Sequence, residues 1–143
     1  DVPVVGFSGD GAFGIAVTEL TAIGRGEWPA VTMIVFRNYQ WGAEKRNSTL
    51  WYEDNFVGTE LDTQVSYAGI AQACGLQGVQ AHRMDELRDA LNKAIEDQMK
   101  HGKTTLIEAM INQELGEPFR RDAMKKPVAV AGISASDMRP QTV

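Results

Sequence analysis

The chain has 143 residues, a net charge of −5 and a pI near 5.0, enough for one domain with a real core. The acidic balance argues against nucleic acid as a general partner, and no apolar stretch approaches the about 18 residues of a membrane span. The single Cys74 excludes an internal disulfide and fits a reducing, cytoplasmic setting.

In chain order, Val4, Val5 and Phe7 form a short apolar run that ends in Gly9-Asp10-Gly11. Phe13, Ile15, Ala16, Val17, Leu20 and Ile23 predict a helix from about Ala12, stopped in Gly24–Pro29. Thr32–Phe36 is a second apolar run. Both runs suit buried parallel strands better than half-exposed ones. Trp28 is expected as a packing residue at the rim. Residues 43–47 carry the charged trio Glu44, Lys45 and Arg46, and Ser48–Thr63 predicts a long ordered loop with a short helix. Asp62 or Thr63 is the expected cap of a helix that runs to about Cys74 and stops at Gly75. Gly78–Ala81 predicts a short strand and Asp85–Lys100 an amphipathic helix, with Leu87, Leu91, Ala94, Ile95 and Met99 at helical spacing. Thr104–Ile111 is the last expected strand. His82 and His101 have no metal-ligand partner at the usual spacing, and Glu108 is read as a structural residue of the last strand.

Residues 1–111 therefore read as one α/β domain, with three layers and a mostly parallel sheet. Residues 112–143 read as a basic tail, in which from Glu117 onward Arg120, Arg121, Lys125, Lys126 and Arg139 outweigh Glu117, Asp122 and Asp137.

The chemistry is concentrated at two points. Residues 12–37 separate Gly11 from Asn38, which is room for one helix and one returning strand, so Asp10 and Asn38 should reach the same edge of a parallel sheet. Ligands bind at that carboxyl edge in open α/β sheets. A helix start just after Gly11 offers unpaired amides and a partial positive charge to a phosphate, and Gly9 and Gly11 allow close backbone approach. A carboxylate and an amide oxygen are hard donors, too few to hold Mg²⁺ alone, because it takes six oxygens and usually draws several from phosphate and water. The pair therefore implies a diphosphate-bearing partner. Taken singly, each anchor is also explained as a turn glycine pair, a helix cap or a loop cap.

Gly-Asp-Gly, 26 intervening residues and then Asn resembles the cofactor motif of the thiamine-diphosphate-dependent enzymes. Many members carry Asn-Asn at its end; this chain carries Arg37-Asn38 and keeps the second asparagine. The resemblance implies thiamine diphosphate and Mg²⁺ as cofactors. The Asp10 carboxylate, the Asn38 side chain and the Gln40 carbonyl are then the metal ligands, and Gly9 belongs to the same cofactor-binding turn. Backbone amides of Gly11, Ala12, Gly42 and Ala43 face the diphosphate. Within that family, NYQWGAEKRNSTLWYEDNFVGTEL and EPFRRDAMKKP resemble an acyltransferase member that acts on a small sulfonated aldehyde and phosphate. Lys45, Arg46, Arg120 and Arg121 are accordingly candidate contacts for anionic substrate.

Other members, such as acetolactate synthase or pyruvate oxidase, and a non-catalytic interaction module stay open as alternatives. By the resemblance, the activating glutamate belongs to another domain, so this chain holds no catalytic residue and is expected to be inactive by itself. The start at Asp1 is read as the mark of a piece lacking the N-terminal side of its fold. The whole enzyme is expected to be a homodimer or homotetramer.

Overall fold

The computed structural model describes residues 2–113. They fall into two compact units, residues 2–40 with 60–113, and residues 41–59.

The first unit is built on four parallel strands, β1 (Val5–Gly9), β2 (Thr32–Arg37), β3 (Gln77–Ala81) and β4 (Thr105–Met110), in the order β1-β2-β4-β3. The central pair β2 and β4 carries the apolar load, and the two-residue period of a strand divides it between the faces. On one face Val35 and Leu106 pack with Leu20, Tyr67, Ala68 and Ala71, under α1 (Asp10–Ile15), α2 (Leu20–Ile23) and α4 (Tyr67–Ala73). On the other, Ile34, Ile107, Ala81 and Ala109 pack with Ala94, Leu87 and Leu91 of α5 (Met84–His101). This is the expected three-layer α/β/α arrangement. The approach of α4 to β3 is close: a Cβ on Gly78 would lie 2.1 Å from the Ala68 carbonyl oxygen, so only glycine fits.

Several local expectations are corrected. Among the described residues β1 lies at the edge of the sheet and is not buried: Phe7 is 68% exposed and stacks on Phe36, with ring centroids 6.2 Å apart. Its run of apolar letters fits a two-sided strand, but a strand gains burial only from the neighbours it actually has. The helix after the glycines begins at Asp10, not Ala12, and is broken. α1 ends at Ala16 (φ −109°, ψ 15°), a 3₁₀ turn follows over Val17–Glu19, and α2 resumes at Leu20. Trp28 is exposed.

The cap of α4 is Ser66, whose hydroxyl accepts from Gly69 N, while the Asp62 carboxylate accepts from Gln64 N in a local turn. Short side chains compete for the nearest free amide, and Ser66 stands closer to the helix. Gly75 (φ 83°) and Gly102 (φ 60°) end α4 and α5 in the left-handed conformation, as their positions predict. Cys74 is partly buried against the core, and His82 and His101 are exposed.

The second unit contains α3 (Gly42–Trp51), where a charged cluster and the start of a loop were expected. Ala43, Glu44, Lys45 and Arg46 are good helix formers with no apolar stripe, so periodicity does not reveal the helix although propensity favours it. Tyr52 N closes it on the Ser48 carbonyl, and Glu53 and Asp54 follow with left-handed φ of 50° and 61°. Residues 114–143, including most of the basic tail, lie outside the described residues. Among the described residues, no helix is long and apolar enough to cross a membrane.

The exposed apolar side chains Val2, Val4, Phe7 and Ile15 in and around β1 and α1 lead to a prediction. An edge strand with apolar side chains recruits a partner, so the isolated 143-residue chain is expected to self-associate, and Phe7→Lys to reduce that association. Light scattering that finds the unsubstituted chain monomeric at high concentration would refute this.

Candidate functional site

Asp10 is the first residue of α1, immediately beyond β1, and is 2% exposed. Because β1 and β2 run parallel with Gly9 opposite Phe36, the end of β2 delivers Arg37, Asn38 and Tyr39 to the same edge. The Asp10 carboxylate gathers them. Its Oδ2 accepts from Arg37 Nη1 at 3.2 Å, Asn38 N at 3.1 Å and Tyr39 N at 2.7 Å, and its Oδ1 accepts from Gly11 N at 3.0 Å. The two sequence anchors are thus side by side.

The turn that follows is tight. Asn38 Oδ1 accepts from Gln40 N at 3.3 Å, and Tyr39 sits at φ 60°, a left-handed conformation that a bulky residue adopts at a cost of roughly 1–2 kcal/mol. Gln40 is buried. Its Nε2 donates to the Gln113 carbonyl, its backbone bridges to Glu60, and its Oε1 has no hydrogen-bond partner among the described residues. Tyr39 and Leu61 close the same turn through Leu61 N donating to the Tyr39 carbonyl.

Arg37 is the residue whose part in this site the motif did not foretell. Side chains 33, 35 and 37 of β2 point to the face covered by α1 and α4, as do 106 and 108 of β4, so a guanidinium and the Glu108 carboxylate meet inside the packing. Arg37 is 1% exposed and lies between two carboxylates: Nη1 on Asp10, and Nε 3.4 Å from Glu108 Oε1. Nη2 donates to the carbonyls of Asp62 and Val65. The rings of Tyr39 and Tyr67 flank the guanidinium at 4.3 and 5.0 Å.

Glu108, wholly buried, spends its other oxygen on Ser66 Oγ, Ala68 N and Gln80 Nε2. Those bonds make Glu108 the fastening of the α4 start to the sheet, in keeping with its reading as a structural residue. Tyr67 completes the cluster by donating its hydroxyl to the Asp10 carbonyl. Burial raises the Tyr67 pKa, Arg37 opposes that rise, and Asp10 and Glu108 add to it. A Cβ on Gly14 would come within 2.6 Å of the Tyr67 hydroxyl, so the glycine makes room for it.

The remaining candidates are distributed as follows. Gly9 is the N-cap of α1, with open space where a side chain would be; Gly11 has its amide on Asp10, and Ala12 is exposed in the first turn. In the second unit, Gly42 and Ala43 open α3, and the first intrahelical bond there runs from Lys45 N to the Trp41 carbonyl. Gly42 and Ala43 amides are thus first-turn donors, of the kind that helices leave unpaired. Lys45 lies 5.4 Å over the Phe56 ring, and Arg46 is half-buried on the same helix. Arg120 and Arg121 lie outside the described residues. No group of three or more His, Cys, Asp or Glu side chains able to hold a metal is present among the described residues, so any metal here has to draw on amide, carbonyl and ligand oxygens.

A parallel α/β/α domain that brings a carboxylate and an amide together at the strand carboxyl ends, beside a glycine turn, is of the class that binds ligands at this edge. The family model described as thiamine pyrophosphate enzyme, C-terminal TPP binding domain, matches residues 1–109, and the chain belongs to that family. It is 83% identical over its full length to a sulfoacetaldehyde acetyltransferase of Roseovarius nubinhibens, and 80% identical over 141 residues to one of Rhodobacter capsulatus. One from Castellaniella defragrans is 49% identical over 126 residues. The chain spans about a quarter of the first two relatives, 24% of each, and 21% of the third. Among solved structures, the benzoylformate decarboxylase of Polynucleobacter necessarius shares the fold with a TM-score of 0.67 and 25% identity. That likeness covers 80% of this chain and 20% of the decarboxylase.

Removing the cation from this cluster leaves two buried carboxylates without it. Arg37→Met is therefore expected to cost about 3–5 kcal/mol of stability, measured by urea unfolding; an unchanged midpoint would show that the ion cluster does not hold the fold.

Proposed function

We propose that the chain is the C-terminal cofactor-binding part of a sulfoacetaldehyde acetyltransferase, which converts sulfoacetaldehyde and phosphate to acetyl phosphate and sulfite with thiamine diphosphate and Mg²⁺. The observation that carries the reading is the 83% identity, over the whole chain, to the Roseovarius protein of that name. No feature of the site favours acetolactate synthase or pyruvate oxidase, and the decarboxylase likeness supports the fold alone. A cytoplasmic enzyme that works as a homodimer or homotetramer is part of the same proposal.

The residues fit a magnesium-bound diphosphate. Among the described residues, Asp10 Oδ1 accepts a single bond, from its own neighbour, and Asn38 Oδ1 holds only the 3.3 Å contact from Gln40 N, so each retains capacity for a cation. With the Gln40 main-chain carbonyl they make a short set of hard oxygen donors, which suits Mg²⁺ when phosphate oxygens and water complete its shell. Asp10 and Asn38 would hold the ion, and the start of α1, with Gly9 uncrowded, would receive the diphosphate. On the resemblance, the Ala12, Gly42 and Ala43 amides are diphosphate contacts, as is Gly11, whose amide here donates to Asp10 Oδ1, and Lys45, Arg46, Arg120 and Arg121 are substrate contacts.

When bound, thiamine diphosphate supplies the nucleophilic carbon and the electron sink for cleavage next to the carbonyl. The part of this chain is to bind and orient: fixed donors placed before reaction remove the entropy of positioning from the barrier. On the resemblance the activating glutamate belongs to another domain, so the 143 residues alone should form no acetyl phosphate.

Calorimetric titration of the protein at its natural length with MgCl₂ and thiamine diphosphate tests the site. Asp10→Asn and Asn38→Ala are each expected to weaken metal-dependent cofactor binding at least about tenfold, some 1.4 kcal/mol. Sulfite release that requires both sulfoacetaldehyde and phosphate tests the substrate; consumption of pyruvate instead would overturn it.

A further inference from the structure

Oδ2 of Asp10 takes three donors, the Arg37 Nη1 and the amides of Asn38 and Tyr39, within 3.2 Å. An ionised carboxylate oxygen offers about two lone pairs, so Oδ2 is saturated. Among the described residues Oδ1 takes only Gly11 N, which leaves it one lone pair. The carboxylate cannot swivel to change this, because Arg37 is itself immobilised by Glu108, by the carbonyls of Asp62 and Val65, and by the rings of Tyr39 and Tyr67.

The stability of the fold does not by itself call for such a cluster. Three buried charges bring a desolvation penalty that apolar side chains of similar volume avoid. What the cluster provides is a carboxylate held in one orientation beside a left-handed Tyr39 turn that carries the next donors, Asn38 and Gln40. Orientation matters to the choice of metal. Mg²⁺ demands a near-ideal octahedron and takes a carboxylate through one oxygen, whereas the larger Ca²⁺ accepts both.

We infer that Arg37 is a positioning residue for the metal: as the charged donor among the three on Asp10 Oδ2 it holds that oxygen against the Asn38 and Tyr39 amides, leaves Oδ1 as the one oxygen offered, and so biases the site toward Mg²⁺ over Ca²⁺. This rests on the proposal that Asp10 is a metal ligand and assigns a role to the residue that stands where many family members carry the first asparagine. Lysine in its place keeps the charge but not the fork. A single ammonium cannot hold Asp10, Glu108 and two carbonyls together, so the carboxylate regains freedom.

The test uses the protein at its natural length, with saturating thiamine diphosphate, titrated separately with MgCl₂ and CaCl₂ below the unfolding range. Arg37→Lys is expected to raise the Mg²⁺ dissociation constant about 10–100-fold, as loss of a partner that orients a ligand does, and to narrow the Mg²⁺/Ca²⁺ preference. Leu91→Ala, in the core under α5 on the other face of the sheet, is expected to lower Tm and leave both constants unchanged.

Equal constants in Arg37→Lys and the unsubstituted protein, or an equal effect of Leu91→Ala, would overturn the inference by reducing Arg37 to a packing role. Should Arg37→Lys not fold, a crystal structure of the unsubstituted protein with MgCl₂ and thiamine diphosphate decides. Oδ1 on the metal with Oδ2 still on Arg37 upholds the inference, and both oxygens on the metal refute it. Absence of metal binding by the unsubstituted protein would instead refute the proposed cofactor site, and the inference with it, before any variant is compared.

Discussion

The contact between the Asp10 carboxylate and the end of β2 is the constraint from which the rest of the site follows. One buried oxygen collects a guanidinium and two consecutive main-chain amides, and in doing so it ties the turn after β1 to the turn after β2. Asp10 and Asn38 are 28 residues apart in sequence and meet only because β1 and β2 pair in parallel, with Gly9 opposite Phe36. The left-handed Tyr39 turn is kept in place by the same oxygen. Its cost is offset by a 2.7 Å bond from its amide to a charged acceptor and by the Arg37 guanidinium over its ring.

Arg37 extends that constraint into the core. Through Glu108 it reaches the start of α4, and through the carbonyls of Asp62 and Val65 the loop that leads there. Tyr67 closes the circuit back to the Asp10 carbonyl. The edge that carries Asp10 and the helix packed behind it are thus one hydrogen-bonded body, so changes at α4 are coupled to the geometry at Asp10. This explains how a site with few donors, and with no cluster of His, Cys, Asp and Glu among the described residues, still holds them in fixed positions.

Much of the architecture was legible from residue order. The strand-glycine-helix-strand spacing placed Asp10 and Asn38 together, the 3.6-residue stripe placed α5, and Gly75 and Gly102 marked helix ends by their need for left-handed backbone. Where reading failed, the missing information was a neighbour. β1 has the letters of a buried strand and sits at an edge, and α3 lacks any stripe for periodicity to detect. Ser66 displaced Asp62 and Thr63 as a cap because the helix begins later than its apolar pattern does.

The sequence by itself determined the fold class, the pairing of the two anchors and the family, since spacing, periodicity and motif are properties of residue order. Only the tertiary structure decided what Arg37 and Glu108 do. In sequence they are charged letters 71 positions apart in apolar strands; the β2–β4 register places them on one face, where low-dielectric burial makes each the other's necessary partner.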